Sequence, residues 1–260
     1  MKIALLDSGI GLLAAAAALR ELRPDADLVL TCDPDGMPWG PRTAADVTAH
    51  AIDCARAAAA YRPDALVVAC NTASVHALEA IRAELEPGIP VIGTVPAIKP
   101  AAATGGPVAV WATPATTGSA YQRGLIRDFA DGADVLEVPC WGMAEAVEHA
   151  DQRAIDESIA AAAAQTPAGI RALVLGCTHY ELVADRIRAA LGHPQGLELY
   201  GSARAVAVQA LRRVPPAAAA EQGSGTLVVL RSGRVGELLP ASLGYREGRL
   251  LDTAALVRRS

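Results

Sequence analysis

Two stretches decide the reading of this chain: Leu66-Val67-Val68-Ala69-Cys70-Asn71-Thr72 and Leu173-Val174-Leu175-Gly176-Cys177-Thr178. Each is a short apolar run that ends in a cysteine and passes into small polar residues. Helical periodicity follows both: Val75, Leu78, Ile81 and Leu85 after the first, Val183, Ile187 and Leu191 after the second. A cysteine between a strand end and a helix start sits where open α/β sheets bind ligands, in the crevice beyond the carboxyl ends of the strands. Backbone N–H groups and partial positive charge at the helix start favour the thiolate, lowering the thiol pKa from about 8.5. With Asn71, Thr72 and Thr178, the same groups are able to hold a carboxylate. A lone cysteine in such a place is commonly a small buried hydrophobe. A matched pair points to chemistry that uses one group twice.

Working outward, short apolar runs alternate with helical patterns. Strand-like runs cover residues 3–6, 28–31, 66–69, 91–92, 108–111, 135–138, 173–175 and 227–230. Most lack period-two alternation, as expected of strands covered on both faces. The pattern is that of an α/β chain with open, mostly parallel sheets flanked by helices. Alanine runs at 14–18 and 160–164 read as well-packed helix, and the run at 217–220, after Pro215-Pro216, as a loop or short helix.

A weak internal repeat adds to this. Cys70 and Cys177 are 107 residues apart, and Asp7 and Thr113, each just after a strand, are 106 apart. Pro38-Trp39-Gly40 and Pro139-Cys140-Trp141-Gly142 share roughly that offset. Two pseudo-symmetric lobes are the expectation, with the active site in the cleft between them. The segment from Gly225 can return to the first lobe. The expected partition is 1–96 plus 208–260 for the first lobe and 97–207 for the second.

Bulk properties exclude several classes. The chain has 260 residues, 52% hydrophobic and only 3% aromatic, so its core must be aliphatic. The mean hydropathy is +0.27 and the pI about 5.6. A net charge of −5 and no basic stripe argue against nucleic acid or an anionic membrane as partner. The first residues read as a strand rather than a signal peptide, because Asp7 interrupts them. No uncharged run approaches the roughly 20 residues of a membrane span. Five cysteines without regular spacing make a poor disulfide framework, and the lack of a CxxC pair argues against a zinc cage. Reduced thiols and a cytoplasmic location fit best.

Asp7-Ser8-Gly9-Ile10-Gly11 follows the first strand and lacks the GxGxxG dinucleotide fingerprint. Asp7 can orient or deprotonate a neighbour, or simply cap a helix. Ser8 and the glycine amides can bind an anion. His179, two residues after Cys177, is either structural or a proton relay to that thiol. Cys177 and His179 alone are too few ligands for a metal.

At these residues the chain resembles the glutamate racemases of the cofactor-independent aspartate/glutamate racemase superfamily. The resemblance rests on Asp7-Ser8-Gly9-Ile10-Gly11, Pro38-Trp39-Gly40, Ala69-Cys70-Asn71-Thr72-Ala73-Ser74, Ile92-Gly93, Ala112-Thr113-Pro114-Ala115-Thr116 with Ser119-Ala120-Tyr121, and Gly176-Cys177-Thr178-His179-Tyr180. It spans roughly residues 1–210, with a looser likeness from Val228 to Gly244. The histidine of the last motif is similar to the glutamate branch, where aspartate racemases usually carry Glu.

The resemblance implies a two-base reaction without cofactor or metal, in which one thiolate removes the α-proton and the other thiol protonates the opposite face. Cys70 and Cys177 would be the acid/bases, Asp7 assisting the first, His179 and Glu148 the second. It implies substrate contacts from Asp7, Ser8, Pro38, Trp39, Gly40, Asn71, Thr72, Thr113, Thr116, Thr178 and His179. The expected substrate is glutamate, and the expected role is D-glutamate supply for peptidoglycan synthesis, cell-wall biogenesis and cell shape. A homodimer is compatible with the sequence, which does not decide oligomeric state.

The chain departs from the family pattern at Leu12, where a second glycine is usual, in the 33–36 loop, at Trp39, where Tyr is usual, and at Tyr200-Gly201-Ser202, where Asp-Ser is common. These departures keep open a related racemase or isomerase for another small carboxylate, or a non-catalytic paralogue. A cysteine hydrolase fits poorly, since it needs one nucleophile and not a mirrored pair.

Overall fold

The computed structural model describes residues 1–130, 132–192 and 196–256. It divides into two compact units, Met1–Thr94 with Ala203–Ser260, and Val95–Ser202. In chain order the first unit opens with β1 (Lys2–Leu6), α1 (Leu13–Leu22), β2 (Asp27–Cys32), α2 (Ala44–Ala59), β3 (Ala65–Val68), α3 (Asn71–His76), α4 (Leu78–Leu85) and β4 (Val91–Gly93). The second unit holds α5 (Ile98–Ala102), β5 (Val108–Ala112), α6 (Ala120–Phe129), β6 (Val135–Pro139), α7 (Met143–Glu148), α8 (Gln152–Ala164), β7 (Ala172–Leu175), α9 (Thr178–Glu181), α10 (Ala184–Ala190) and β8 (Glu198–Tyr200). The chain then returns to the first unit through α11 (Ala203–Arg213), α12 (Pro216–Ala220), β9 (Leu227–Arg231), β10 (Arg234–Gly236) and α13 (Arg246–Leu256). The return comes at Ala203, ahead of the expected 208, because α11 packs along α1.

The first sheet has the order β10-β9-β2-β1-β3-β4 and the second β6-β5-β7-β8. All pairs are parallel except β10 with β9. The run β2-β1-β3-β4 is therefore repeated as β6-β5-β7-β8, which gives the internal repeat a topological basis. The central strands β3, β5 and β7 are buried at every position, and this accounts for their missing alternation. Two strands escaped the sequence reading. β8 is only Glu198–Tyr200 and partly exposed; β10 is an exposed edge with Arg234 and Gly236. Both are too short and polar for the apolar-run signal.

Helix starts follow side-chain capping where the sequence offers it. The Thr43 hydroxyl accepts from Asp46 N at α2, Ser119 from Gln122 N at α6, and Asp151 from Arg153 N and Ala154 N at α8. The first core packs Leu6, Val29, Trp39, Leu66 and Val68 against alanines of α2 and α3; the second joins Ile98, Val108, Val110 and Val174. Small helical residues let helices lie close on each sheet, in keeping with an aliphatic composition.

Equivalent contacts close the two cysteine-bearing strands. Ala69 N donates to Leu6 O at 2.8 Å, and Gly176 N to Trp111 O at 2.7 Å. The second approach is the tighter one. A Cβ on Gly176 would lie 2.7 Å from Trp111 O and 3.1 Å from Ala112 Cβ. Gly176→Ala should therefore destabilise the protein by about 1–3 kcal/mol, read as a lower urea midpoint; an unchanged midpoint would refute the packing argument.

Two buried thiols make stability pH-dependent. Burial, and then the Asp33 carboxylate, push Cys54 up to about 12; burial, and then Cys177, push Cys140 up to about 12. Both folded values exceed the unfolded thiol value of about 8.5. The folded state thus keeps protons the unfolded state has lost, and stability falls as pH rises from that value towards 12. Each thiol contributes a slope of about 1.4 kcal/mol per pH unit. Cys54→Ala should flatten the decline in unfolding free energy between about pH 8.5 and 10; an identical slope in the variant would count against this account.

Candidate active site

The first unit gathers Asp7, Ser8, Cys70 and Asn71 at the carboxyl ends of β1 and β3. Asp7 follows β1 and is completely buried. Its Oδ1 accepts Ser8 N at 2.6 Å and Ser8 Oγ at 3.2 Å, while Asp7 N donates to Thr31 O at 3.1 Å. Cys70 is extended, at φ −140° and ψ 123°, and is the residue before α3. Burial first, and then the Asp7 carboxylate in hydrogen-bond contact, push its thiol well above the usual range; the N–H groups of Ala73 and Ser8 oppose the shift. The sulfur is thus held as a thiol at neutral pH. Here the helix-start expectation of a lowered pKa is overturned, because desolvation and a neighbouring negative charge outweigh the amides.

The Pro38-Trp39-Gly40 turn leads into α2. Pro38 is exposed, but the Trp39 indole is 1% exposed and belongs to the first core. Thr72 is half-buried beside Asn71. Leu12 is also buried, lining a small apolar cavity with Leu13, Leu30, Val229 and Leu239.

The second unit repeats the plan with different partners. Cys177, at φ −137° and ψ 136°, precedes α9 as Cys70 precedes α3. Its Sγ lies 3.8 Å from His179 Nδ1, and His179 Nε2 lies 2.9 Å from Glu148 Oε2. Both His179 and Glu148 are buried, with side chains 5% and 6% exposed. With Nε2–H given to the carboxylate, Nδ1 is left as an acceptor facing the thiol. Glu148, the last residue of α7, enters through tertiary packing: α7 lies against α9. Thr178 is buried, and Thr113 and Thr116, beyond β5, share a hydroxyl hydrogen bond of 3.1 Å.

Sequence reasoning missed the groups that back these sets. Tyr180 donates its hydroxyl to Cys140 O at 3.4 Å, fully buried behind Cys177. Asp33 holds Trp39 Nε1 at 3.1 Å and His50 Nδ1 at 2.8 Å. In the sequence Tyr180 stands out only as part of a motif and Asp33 only as part of an altered loop. An acidic residue directly after a buried strand, like Asp7, was the available signal for Asp33.

The sequence profile of the Asp/Glu/hydantoin racemase family matches residues 12–210. A glutamate racemase of Roseiflexus sp. (strain RS-1) is 37% identical over 195 residues, covering 73% of this chain and 71% of the relative. One from Mesorhizobium japonicum is 34% identical over 244 residues, covering 89% and 92%. Among solved structures, Escherichia coli glutamate racemase in complex with L-glutamate and the activator UDP-MurNAc-ala superimposes with a TM-score of 0.78 at 26% identity, over 94% of this chain and 91% of that one. With most of its length matched by the family profile and by relatives above 30% identity, the chain belongs to the Asp/Glu/hydantoin racemase family of isomerases.

Proposed function

We propose that this protein interconverts L- and D-glutamate by proton transfer at Cα, with Cys70 and Cys177 as the two acid/bases. The observation that carries the reading is the pair of equivalently placed cysteines, each extended at the end of a buried strand and each with its own proton-handling partner. Support for glutamate comes from relatives named as glutamate racemases and from His179 in the last motif.

Racemisation requires a base on one face of Cα and an acid on the other. The pair must carry one negative charge between them, so its titration belongs to both thiols together. Cys70 carries the resting proton, held by burial and by Asp7. A thiol kept this weakly acidic yields a correspondingly strong base once deprotonated, which suits removal of an α-proton. Cys177 passes its proton to His179, and Glu148 stabilises the imidazolium that forms. Ser8, Asn71, Thr72, Thr113, Thr116, Thr178 and the Pro38-Trp39-Gly40 turn, through its exposed Pro38 and half-buried Gly40, hold the carboxylates and amine. The D-glutamate formed feeds peptidoglycan synthesis, and the protein works in the cytoplasm. Among the described residues no helix is long and apolar enough to cross a membrane.

Leu12 and Trp39 motivate another small carboxylate as substrate, yet both side chains are buried in the first unit. Neither favours a different substrate through direct contact.

Purified protein with L-glutamate and no added cofactor should produce D-glutamate on chiral chromatography, with deuterium entering Cα in deuterated water. No D-glutamate where a control racemase works would sink the assignment, and no exchange would favour a non-catalytic paralogue. Cys70→Ala and Cys177→Ala should each lower racemisation by about 10²–10⁴-fold. Each should still exchange the α-proton of one enantiomer, and the two should differ in which. Glu148→Gln should lower kcat/KM by about 10²-fold, equally in both directions, since the two enantiomers are equal in free energy. An unchanged kcat/KM would remove Glu148 from the proton path.

A further inference from the structure

Asp33, directly after β2, carries a carboxyl whose side chain is 6% exposed. Oδ2 accepts the Trp39 indole N–H at 3.1 Å and faces His50 Nδ1 at 2.8 Å. Oδ1 accepts the Ser232 hydroxyl at 2.8 Å and Gly36 N at 3.3 Å. The Asp33 carbonyl accepts Met37 N at 3.1 Å. One carboxyl thus ties the end of β2, helix α2, the segment after β9 and the turn that carries Pro38-Trp39-Gly40. The fit leaves no slack: a Cβ on Gly36 would lie 2.0 Å from Asp33 Oδ2 and 2.7 Å from the His50 ring.

A buried carboxylate needs a positive or strongly donating partner. Arg42 is engaged with Asp46 at 2.6 Å and with Gly36 O at 2.7 Å, and Arg234 with Asp35 at 2.6 Å. His50 is the basic side chain that reaches Asp33. Its ring lies between Asp33 and Asp46, with Nε2 3.6 Å from Asp46 Oδ1, and its centroid is 6.5 Å from that of Trp39. Cys54, one turn further along α2, stays a neutral thiol. The charged groups facing His50 are therefore the two carboxylates, with Arg42 beyond Asp46.

We propose that Asp33 is a positioning residue for the Pro38-Trp39-Gly40 turn, with His50 bracing its carboxyl from α2. Asp33 acts through the buried indole, which carries the turn's backbone with it. The proposal rests on the function proposed above only in taking that turn to contact substrate.

The test reads the indole ¹H–¹⁵N signal of Trp39, assigned by its loss in Trp39→Phe, alongside KM and kcat for L-glutamate. Asp33→Asn should shift that signal and raise KM about tenfold with kcat changed less than threefold. His50→Gln should shift the signal too and raise KM about three- to tenfold. An indole signal unmoved in both variants would overturn the proposal, as would an Asp33→Asn protein with lowered Tm and unchanged KM. His50 is partly exposed, so its variant keeps the fold if Asp33→Asn does not. Should the wild type fail to racemise glutamate, the function proposed above fails, and the indole signal still decides whether Asp33 holds Trp39.

Discussion

In each sheet the pairing of a central strand with the cysteine-bearing strand, β1 with β3 and β5 with β7, is the interaction on which both halves of the proposed chemistry depend. Leu6 pairs with Val68 and Trp111 with Leu175, so each partner strand stops in register just before its cysteine. The closing contacts, Ala69 to Leu6 and Gly176 to Trp111, fix where the sulfur leaves the sheet. Because these strands are apolar on both faces, alternation does not set their register; a slip would instead draw the polar residues at their ends into the sheet. The geometry proposed for catalysis therefore rests on these strand ends and their closing contacts.

On this shared frame the two cysteines have been given opposite electrostatic settings. Cys70 faces a buried carboxylate and keeps its proton. Cys177 faces an imidazole held from behind by Glu148. Two identical thiols in identical surroundings would have no fixed answer to which of them carries the charge. Unlike neighbours remove that degeneracy, and they do so without disturbing the strand pairing that places the sulfurs.

The loop that departs most from its family is anchored from inside the fold. Trp39 contributes no exposed surface; it is an anchor in the first core whose N–H ends on Asp33. Ser232, nearly two hundred residues later in the chain, reaches the same carboxyl. The returning C-terminal segment therefore completes a site begun by β2.

Much of this was legible in the sequence. Continuous apolar runs ending in Cys70 and Cys177, with helical spacing after them, pointed to an α/β fold with parallel sheets, and the repeat offset to two related lobes; the shared strand order came only with the structure. Asp7 and His179 were readable because they lie within a few residues of a strand end or of a cysteine. The partnership of Glu148 with His179 was not, because it spans 31 residues and depends on how α7 packs on α9. The elevated Cys70 thiol was misread in direction, since a helix start shows in sequence and the burial that overrides it does not. By itself the sequence determined the fold class, most of the strands and the residues available for proton transfer, because these follow from local periodicity and short-range motifs. Tertiary structure alone decided which acid meets which base and which thiol keeps its proton, because those depend on desolvation and on contacts between residues distant in the chain.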